Sequence, residues 1–281
     1  MVAIAAAGWG TWPLILRKAP MPPAIQSAVM MLVLTLASLP FMARDRSPVK
    51  ATRAQWAALA WLGVGDAMNV LLFFAAYAKT SVAVAVLTHY LTPIFVALGA
   101  PLFLGERSGA RTFVSVAIAS LGLALLLEPW RAGFGAKDVA GASLGAGSAV
   151  FYASNVMVNK RLAPAFSGSE LMAYHGVIST VILVFFVPMA EVGQVPFGSM
   201  LVVAAGAVGP GALGGLLFVW GLRRIPASHA SVLTLLEPFV AVVLAALFLG
   251  QTLSAWAVVG GMLILGGAFL VVSAATTKES V

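Results

Sequence analysis

From Thr80 to Glu106 the chain reads TSVAVAVLTHYLTPIFVALGAPLFLGE, an apolar run of membrane-crossing length, and the same pattern returns farther on. At a constant shift of 145 residues Pro93 falls on Pro238, Phe103 on Phe248 and Leu104-Gly105 on Leu249-Gly250. The frame holds without a gap from Leu71-Leu72-Phe73, which falls on Leu216-Leu217-Phe218, to Gly122, which falls on Gly267. Two related halves are the expectation, each presenting the same helices to the bilayer.

The solvent follows from composition. Residues of the AVILMFWYC set make up 61% of the chain and charged residues 9%, with a mean hydropathy of +1.03. A globular surface needs roughly 25% charged residues, so the fold class is all-α integral membrane. With no Cys there is neither a disulfide nor a thiolate metal site. The excess of 16 Lys+Arg over 9 Asp+Glu sits between apolar runs, where it orients helices and meets lipid headgroups rather than nucleic acid. The first run has no basic segment before it and many spans follow, so it reads as a helix and not a cleaved signal.

A span needs about 20 mostly apolar residues. That rule predicts ten spans, over 2–17, 24–42, 55–78, 81–104, 109–128, 139–160, 169–190, 198–222, 228–249 and 253–273. Residues 1–128 then form the first five-helix repeat, 129–138 a connecting loop, 139–273 the second repeat and 274–281 a tail. With the N-terminus inside, eleven Lys and Arg fall on the cytoplasmic side, among them Arg44, Arg107, Lys160 and Arg223, against Arg17, Lys18, Lys79, Arg131 and Lys137 outside. Both termini are therefore expected in the cytoplasm. Five is odd, so the second half must enter the membrane inverted. Equivalent loops then face opposite sides and should differ in charge, as Glu106-Arg107 differs from Gln251-Thr252. Such a chain is expected to work as a transporter, with its substrate site at mid-membrane between the halves.

Trp9-Gly10-Thr11 with Lys18, Leu91-Thr92-Pro93 with Phe103-Leu104-Gly105-Glu106, and Leu236-Glu237-Pro238 with Phe248-Leu249-Gly250 carry a resemblance. With five plus five inverted spans and a proline inside the fourth span of each half, the chain resembles the drug/metabolite transporter superfamily in its EamA-type branch. Gln251 departs from the acidic residue usual at its position. The resemblance implies transport by alternating access and says little of substrate. Aromatic and His content is most similar to exporters of aromatic amino acids.

Several polar and aromatic side chains are candidates for the substrate site. Asp66, Asn69, Phe73 and Tyr77 share one stripe of the third span, and His89, Thr92 and Val96 one face of the fourth, with Tyr90 beside them. Ionisable groups inside a span usually face the protein interior or a water-filled cavity. Pro93 and Pro238 cannot donate to the carbonyls of residues 89 and 234, which should leave those carbonyls for a ligand or water. These two prolines and Pro210, set among Gly206, Gly209, Gly211, Gly214 and Gly215, are candidate hinges. Trp12, Tyr152, Asn155, Trp220 and Glu237 complete the candidate lining, whereas Trp61, Trp130 and Trp256 suit interfacial anchors. Structural hydrogen bonding between helices is the competing explanation for the Asn and His residues.

No enzyme is expected. His89, His175 and His229 lie on separate spans without metal spacing, and no nucleotide-binding glycine loop is present. The expected partners are a small-molecule substrate, the bilayer of the cell inner membrane and, through Asp66 or Glu237, protons; no cofactor and no obligatory protein partner is expected. An anionic substrate would need Lys or Arg at mid-membrane, and every basic residue lies near a span end. A channel or intramembrane enzyme finds no support in the repeat.

Overall fold

The computed structural model describes residues 1–132 and 135–278. Among them every regular element is helical, in the order α1 (Val2–Trp9), α2 (Trp12–Leu16), α3 (Pro23–Arg44), α4 (Arg53–Tyr77), α5 (Val82–His89), α6 (Thr92–Phe103), α7 (Ala110–Leu127), α8 (Ala136–Leu162), α9 (Gly168–Val184), α10 (Met189–Val192), α11 (Phe197–Gly206), a π-helical segment (Ala207–Leu213), α12 (Gly214–Leu222), α13 (Ala227–Leu233), α14 (Leu236–Leu249) and α15 (Ala255–Lys278). A single 3₁₀ turn, Pro129–Ala132, follows α7.

Among the described residues seven helical runs are long and apolar enough to cross a membrane: Pro23–Arg44, Arg53–Tyr77, Val82–Phe103, Ala110–Arg131, Phe197–Leu222, Ala227–Leu249 and Ala255–Ser273. The other three expected spans look different for physical reasons. Val2–Leu16 is short and broken at Gly10-Thr11, ahead of Pro13, and Gly168–Val184 stops before Pro188. Helix α8 is long enough at 27 residues but rich in Gly, Ala and Ser. Packed against α4, α5 and α6, it shows lipid little of its surface, so its exterior need not be apolar all round. The tail expected from residue 274 continues as helix to Lys278, and its last residues, 279–281, lie outside the described ones.

Starts are set locally. Thr52 Oγ1 accepts from the Gln55 N–H (3.3 Å) while Gln55 Oε1 accepts from the Thr52 N–H (2.8 Å), a reciprocal cap that opens α4. Ser167 and Glu170 open α9 in the same way. Large apolar side chains face outward on many helices, Leu102 at 82% and Phe185 at 83% exposed among them. Water would penalise such a surface; lipid does not. Trp61, Trp130 and Trp256 are also exposed, as interfacial anchors would be.

Helix pairing across residues 129–138 has a pattern. Helix α7 packs on α15, α3 on α9 and α6 on α13. The pairing of α4 with α8 is answered by α12 with α1, and that of α4 with α9 by the π segment with α3. Likewise α5 and α6 against α8 are answered by α13 and α14 against α1. Exchanging residues 1–128 with 139–273 returns most of these pairings; that of α6 with α13 is not matched by an equally close pairing of α14 with α5.

The α7–α15 contact brings backbones together through glycine. A Cβ on Gly122 would lie 2.7 Å from the Gly260 carbonyl oxygen and 2.9 Å from the Ile264 nitrogen, whereas one on Gly266 would meet nothing within 4 Å. Gly122→Ala is therefore expected to destabilise the protein by about 1–3 kcal/mol, as overpacking does, and Gly266→Ala to leave stability unchanged or raise it. Thermal unfolding of the purified protein in detergent measures both; equal midpoints would contradict this packing.

Candidate functional site

Both candidate sites grow from interruptions in the helices. The fourth span of the first half breaks between α5 and α6, and its repeat counterpart breaks between α13 and α14, each ahead of its proline. At the first break the Leu91 N–H reaches back to the Thr88 carbonyl (3.3 Å), and at the second Leu235 reaches Val232 (3.1 Å), so the chain tightens to a 3₁₀ turn. The carbonyls that Pro93 and Pro238 leave without their helical donors are not available to a ligand, contrary to expectation. Thr92 Oγ1 donates to the His89 carbonyl (2.8 Å), and the Glu237 N–H to that of Thr234 (3.0 Å). A hydroxyl one turn away and a tightened turn repair what proline removes.

Around the first break lies a dense aromatic and polar cluster. His89 is buried, its ring centroid 4.2 Å from that of Phe73, stacked on Tyr152 at 5.4 Å and 7°, and edge-on to Tyr90 at 5.2 Å. Phe73 in turn meets Tyr77 at 4.7 Å. Ser148 ties the cluster together: its Oγ lies 2.7 Å from Asn69 Oδ1, 2.9 Å from the Asn69 carbonyl and 2.8 Å from His89 Nδ1. Both Asn69 oxygens only accept, so the single Ser148 hydrogen goes to Asn69 and the hydroxyl accepts from His89 Nδ1–H. That assigns the tautomer and makes His89 Nε2 an acceptor. Glu237 enters from the second half. Its carboxyl is met by the Tyr90 phenol and lies within electrostatic reach of Tyr77 and Tyr152 as well. Phe73, Tyr77, Tyr152 and Glu237 all keep part of their surface uncovered.

Asp66 stands apart from this cluster although it shares a stripe with Asn69 and Phe73. It faces α9, where Ser179 Oγ lies 3.3 Å and His175 Nε2 3.9 Å from Asp66 Oδ2. Asn155, buried, accepts from the Asp66 backbone N–H (3.0 Å) and donates to the Phe151 carbonyl (3.3 Å) in the amide orientation that satisfies both groups. Tyr152 lies between the two acidic sites, within electrostatic reach of Asp66 and of Glu237.

The remaining candidates are spread more widely. Trp12 lies over the π segment: a Cβ on Gly206 would come within 2.9 Å of its ring, and one on Gly214 within 2.8 Å of Trp9 Nε1. The glycines of the eighth span therefore seat two tryptophans, and the wide π turn accommodates Pro210, which has no N–H to give Gly206. Trp220 packs on Gly168 at the start of α9, away from the His89 cluster. Among the described residues no group of three His, Asp or Glu is placed to hold a metal. Ser148 and Ser179 are polar members outside the candidate lining, although periodicity does align Ser148 with Tyr152, Asn155 and Asn159. Ser148 sits one turn before Tyr152 on the same stripe, which is a usable signal; nothing in the sequence singles out Ser179.

One end of the molecule carries a clasp. Glu106 Oε1 pairs with Lys160 Nζ (2.8 Å), and Glu106 Oε2 accepts from the Ala227 N–H (2.7 Å). Lys160 also donates to the Ile225 carbonyl. The end of α6, the end of α8 and the start of α13 are thus tied at one point. The repeat counterpart of Glu106 is Gln251 and, at the offset of 142 residues that relates the first span to the sixth, that of Lys160 is Lys18; both are exposed.

Residues 1–128 and 139–273 match the EamA-like transporter family. An uncharacterized transporter from Archaeoglobus fulgidus is 28% identical over 236 residues, covering 84% of this chain and 81% of that protein. An uncharacterized transporter from Bacillus subtilis is 27% identical over 208 residues, 71% and 64% of the two chains. A riboflavin transporter from Rhizobium johnstonii is 34% identical over 100 residues, 36% of this chain and 33% of that one. The fold is shared with a crystal structure at a TM-score of 0.82 and 20% identity, over 99% of this chain and 97% of the other.

Ser148→Ala leaves His89 Nδ1–H and the Asn69 oxygens without their common partner. The expected cost is about 1–3 kcal/mol, that of orphaned buried polar groups. Ser143→Ala, on an exposed part of the same helix, is expected to cost little. Thermal midpoints of the two variants check the difference, and indistinguishable values would remove Ser148 as the organiser of the cluster.

Proposed function

The chain belongs to the EamA-like transporter family, and on that premise we propose that it exports small amphipathic metabolites, aromatic and other neutral amino acids first among them, by alternating access. The spans are ten, arranged as two inverted five-helix repeats with both termini in the cytoplasm of the cell whose inner membrane holds it. Support for the two-fold arrangement comes from the helix pairings that survive exchange of the halves, and for the orientation from the Lys and Arg distribution.

The observation that carries the substrate class is one carboxyl, Glu237, met by the Tyr90 phenol and within electrostatic reach of Tyr77 and Tyr152, beside a His89–Phe73–Tyr152 ring group. Glu237 and His89 Nε2 are acceptors for an ammonium, and the uncovered faces of Phe73, Tyr77 and Tyr152 suit an apolar or aromatic side chain. Lys160 is engaged by Glu106 and Arg223 by the Phe166 carbonyl, neither beside this cluster, which disfavours an anionic substrate. The same walls suit a flat heterocycle, and the local similarity to a riboflavin transporter makes riboflavin the second compound to test. The cluster lies where the two halves meet, as a site exposed alternately to each side requires.

Proteoliposomes loaded with phenylalanine, tryptophan, leucine, arginine or riboflavin test the assignment. Release of the aromatic and neutral amino acids is expected, and of arginine not. His89→Ala and Tyr90→Ala are expected to lower that release roughly tenfold, equivalent to about 1.4 kcal/mol of lost interaction, while the proteins remain folded and inserted. Wild-type rates in well-folded double variants would return both residues to a structural role.

The Glu106–Lys160–Ala227 clasp closes the face that the charge distribution assigns to the cytoplasm. Loosening it should favour opening there. The chain has no Cys, so Asn159→Cys provides a single label site one residue from Lys160 on a buried stripe. Labelling by a membrane-impermeant thiol reagent is expected to rise several-fold when Glu106→Gln is added. Unchanged labelling would show that the clasp does not hold the face shut.

A further inference from the structure

The pairing of His175 with Asp66 lies outside the cluster assigned to substrate, and its geometry leaves a proton unaccounted for. His175 Nδ1 is 2.5 Å from the Leu171 carbonyl oxygen one turn earlier in α9. A carbonyl only accepts, so the hydrogen of a neutral His175 is on Nδ1 and Nε2 presents a lone pair. That lone pair points at Asp66 Oδ2, 3.9 Å away, with both side chains inside the helix bundle. An ionised Asp66 would set lone pair against lone pair in a poorly solvated place. One added proton removes the conflict, whether it resides on the imidazole or on the carboxyl.

Ser179 is built to serve both states. Its Oγ lies 2.8 Å from the Gly63 carbonyl and 3.3 Å from Asp66 Oδ2. When the carboxyl carries the proton, Ser179 can donate to Gly63 and accept from Asp66; when it does not, the hydroxyl can turn its hydrogen to the carboxylate. The titratable groups facing Asp66 are His175 from α9 and, at longer electrostatic range, Tyr152 from α8. From α8 Asn155 accepts from the Asp66 backbone, and α3, packed on α9, sets the Thr35 hydroxyl against Gly176. None of these neighbours supplies a fixed cation that would make the shared proton unnecessary.

We propose that Asp66 and His175, with the Ser179 hydroxyl on the carboxyl, form a proton-binding site that holds one proton between the first and second halves and couples transport to a proton gradient. Helix α4 belongs to the first half and α9 to the second, so the occupancy of this site changes an interaction across the boundary that must move during alternating access. The repeat counterpart of Asp66 is Gly211, and the corresponding contact on the other side, the π segment against α3, has no such carboxyl. One asymmetric site therefore carries the proton. The coupling rests on the transporter reading; the proton site itself does not.

Two measurements on the full-length protein separate these. In lipid nanodiscs, infrared titration follows the protonated-carboxyl stretch while ¹⁵N spectra of labelled histidine follow His175. A carboxyl band lost in Asp66→Asn that titrates together with the His175 signal, as one shared proton, is expected; His175→Gln should move the band's midpoint. Independent titrations, or an Asp66 band that does not change between about pH 5 and 9, would overturn the site. In proteoliposomes containing phenylalanine, a one-unit pH difference supports up to about tenfold accumulation for one coupled proton. Accumulation in the wild type and its loss in folded Asp66→Asn support coupling. Phenylalanine flux indifferent to the gradient, with the pair still titrating, overturns coupling alone. No flux of any compound in the panel, with the pair still titrating, counts against the substrate assignment and leaves the site standing.

Discussion

Hydrocarbon offers no hydrogen bonds, so each backbone N–H and C=O in a span must find its partner within the protein. That constraint explains the plainest irregularities of this fold. Pro13, Pro93, Pro210 and Pro238 each remove a donor, and each falls at a place where the helix is broken, tightened or widened. The repairs are local: the Thr92 hydroxyl donates to the His89 carbonyl (2.8 Å) behind Pro93, and the Glu237 N–H to the Thr234 carbonyl (3.0 Å) behind Pro238. Interrupted helices survive in a membrane only when buried against other helices. The broken spans accordingly face the opposite half, and the side chains they carry meet there.

Placement of the polar groups follows from the same requirement. A buried hydroxyl, imidazole or carboxyl is tolerated when its partners come from a neighbouring helix. His89 is held by Ser148 and Ser148 by Asn69, so α5, α8 and α4 are joined by one hydroxyl. Asp66, Ser179 and His175 join α4 to α9. Tyr152 stacks on His89 and lies within electrostatic reach of Asp66. Polar chemistry in this protein is thus concentrated at helix contacts that cross between the halves, while outward faces such as those of Leu102 and Phe185 are left to lipid.

Much of this architecture was legible from periodicity and spacing. The 145-residue echo places equivalent breaks at Thr92-Pro93 and Glu237-Pro238, and the aromatic stripe of the third span identifies Phe73 and Tyr77, which do join His89. What spacing cannot show is the partner on another helix. Asp66, Asn69 and Phe73 lie on one stripe, yet Asp66 belongs with α9 because Ser179 and His175 happen to reach it. The carbonyl behind Pro93 looked available to a ligand, since sequence gives no torsion angle for Thr92, whose hydroxyl fills the gap. Seven spans announced themselves by length and apolarity. Helix α8 did so less clearly because its neighbours, rather than lipid, cover its Gly, Ala and Ser residues.

The repeat governs backbone and apolar packing far more strictly than it governs charge. Pro93 keeps its equivalent, as do Phe103 and the Leu-Gly pair after it, because the same helix must bend and end in the same way in either orientation. Glu106 is answered by Gln251, Asp66 by Gly211 and Glu237 by Thr92. Under the proposed alternating access, symmetric packing lets the opening of one face resemble the closing of the other. Only the unmatched groups can make the two states differ in energy, since a ligand or proton shifts an equilibrium solely through its different affinity for each state. In this chain those groups include the clasp on one face, the proposed Asp66–His175 proton site on one cross-half contact, and Glu237 and His89 among the rings. Under the proposed alternating access, direction and coupling arise from such departures from symmetry, because two-fold packing by itself favours neither side.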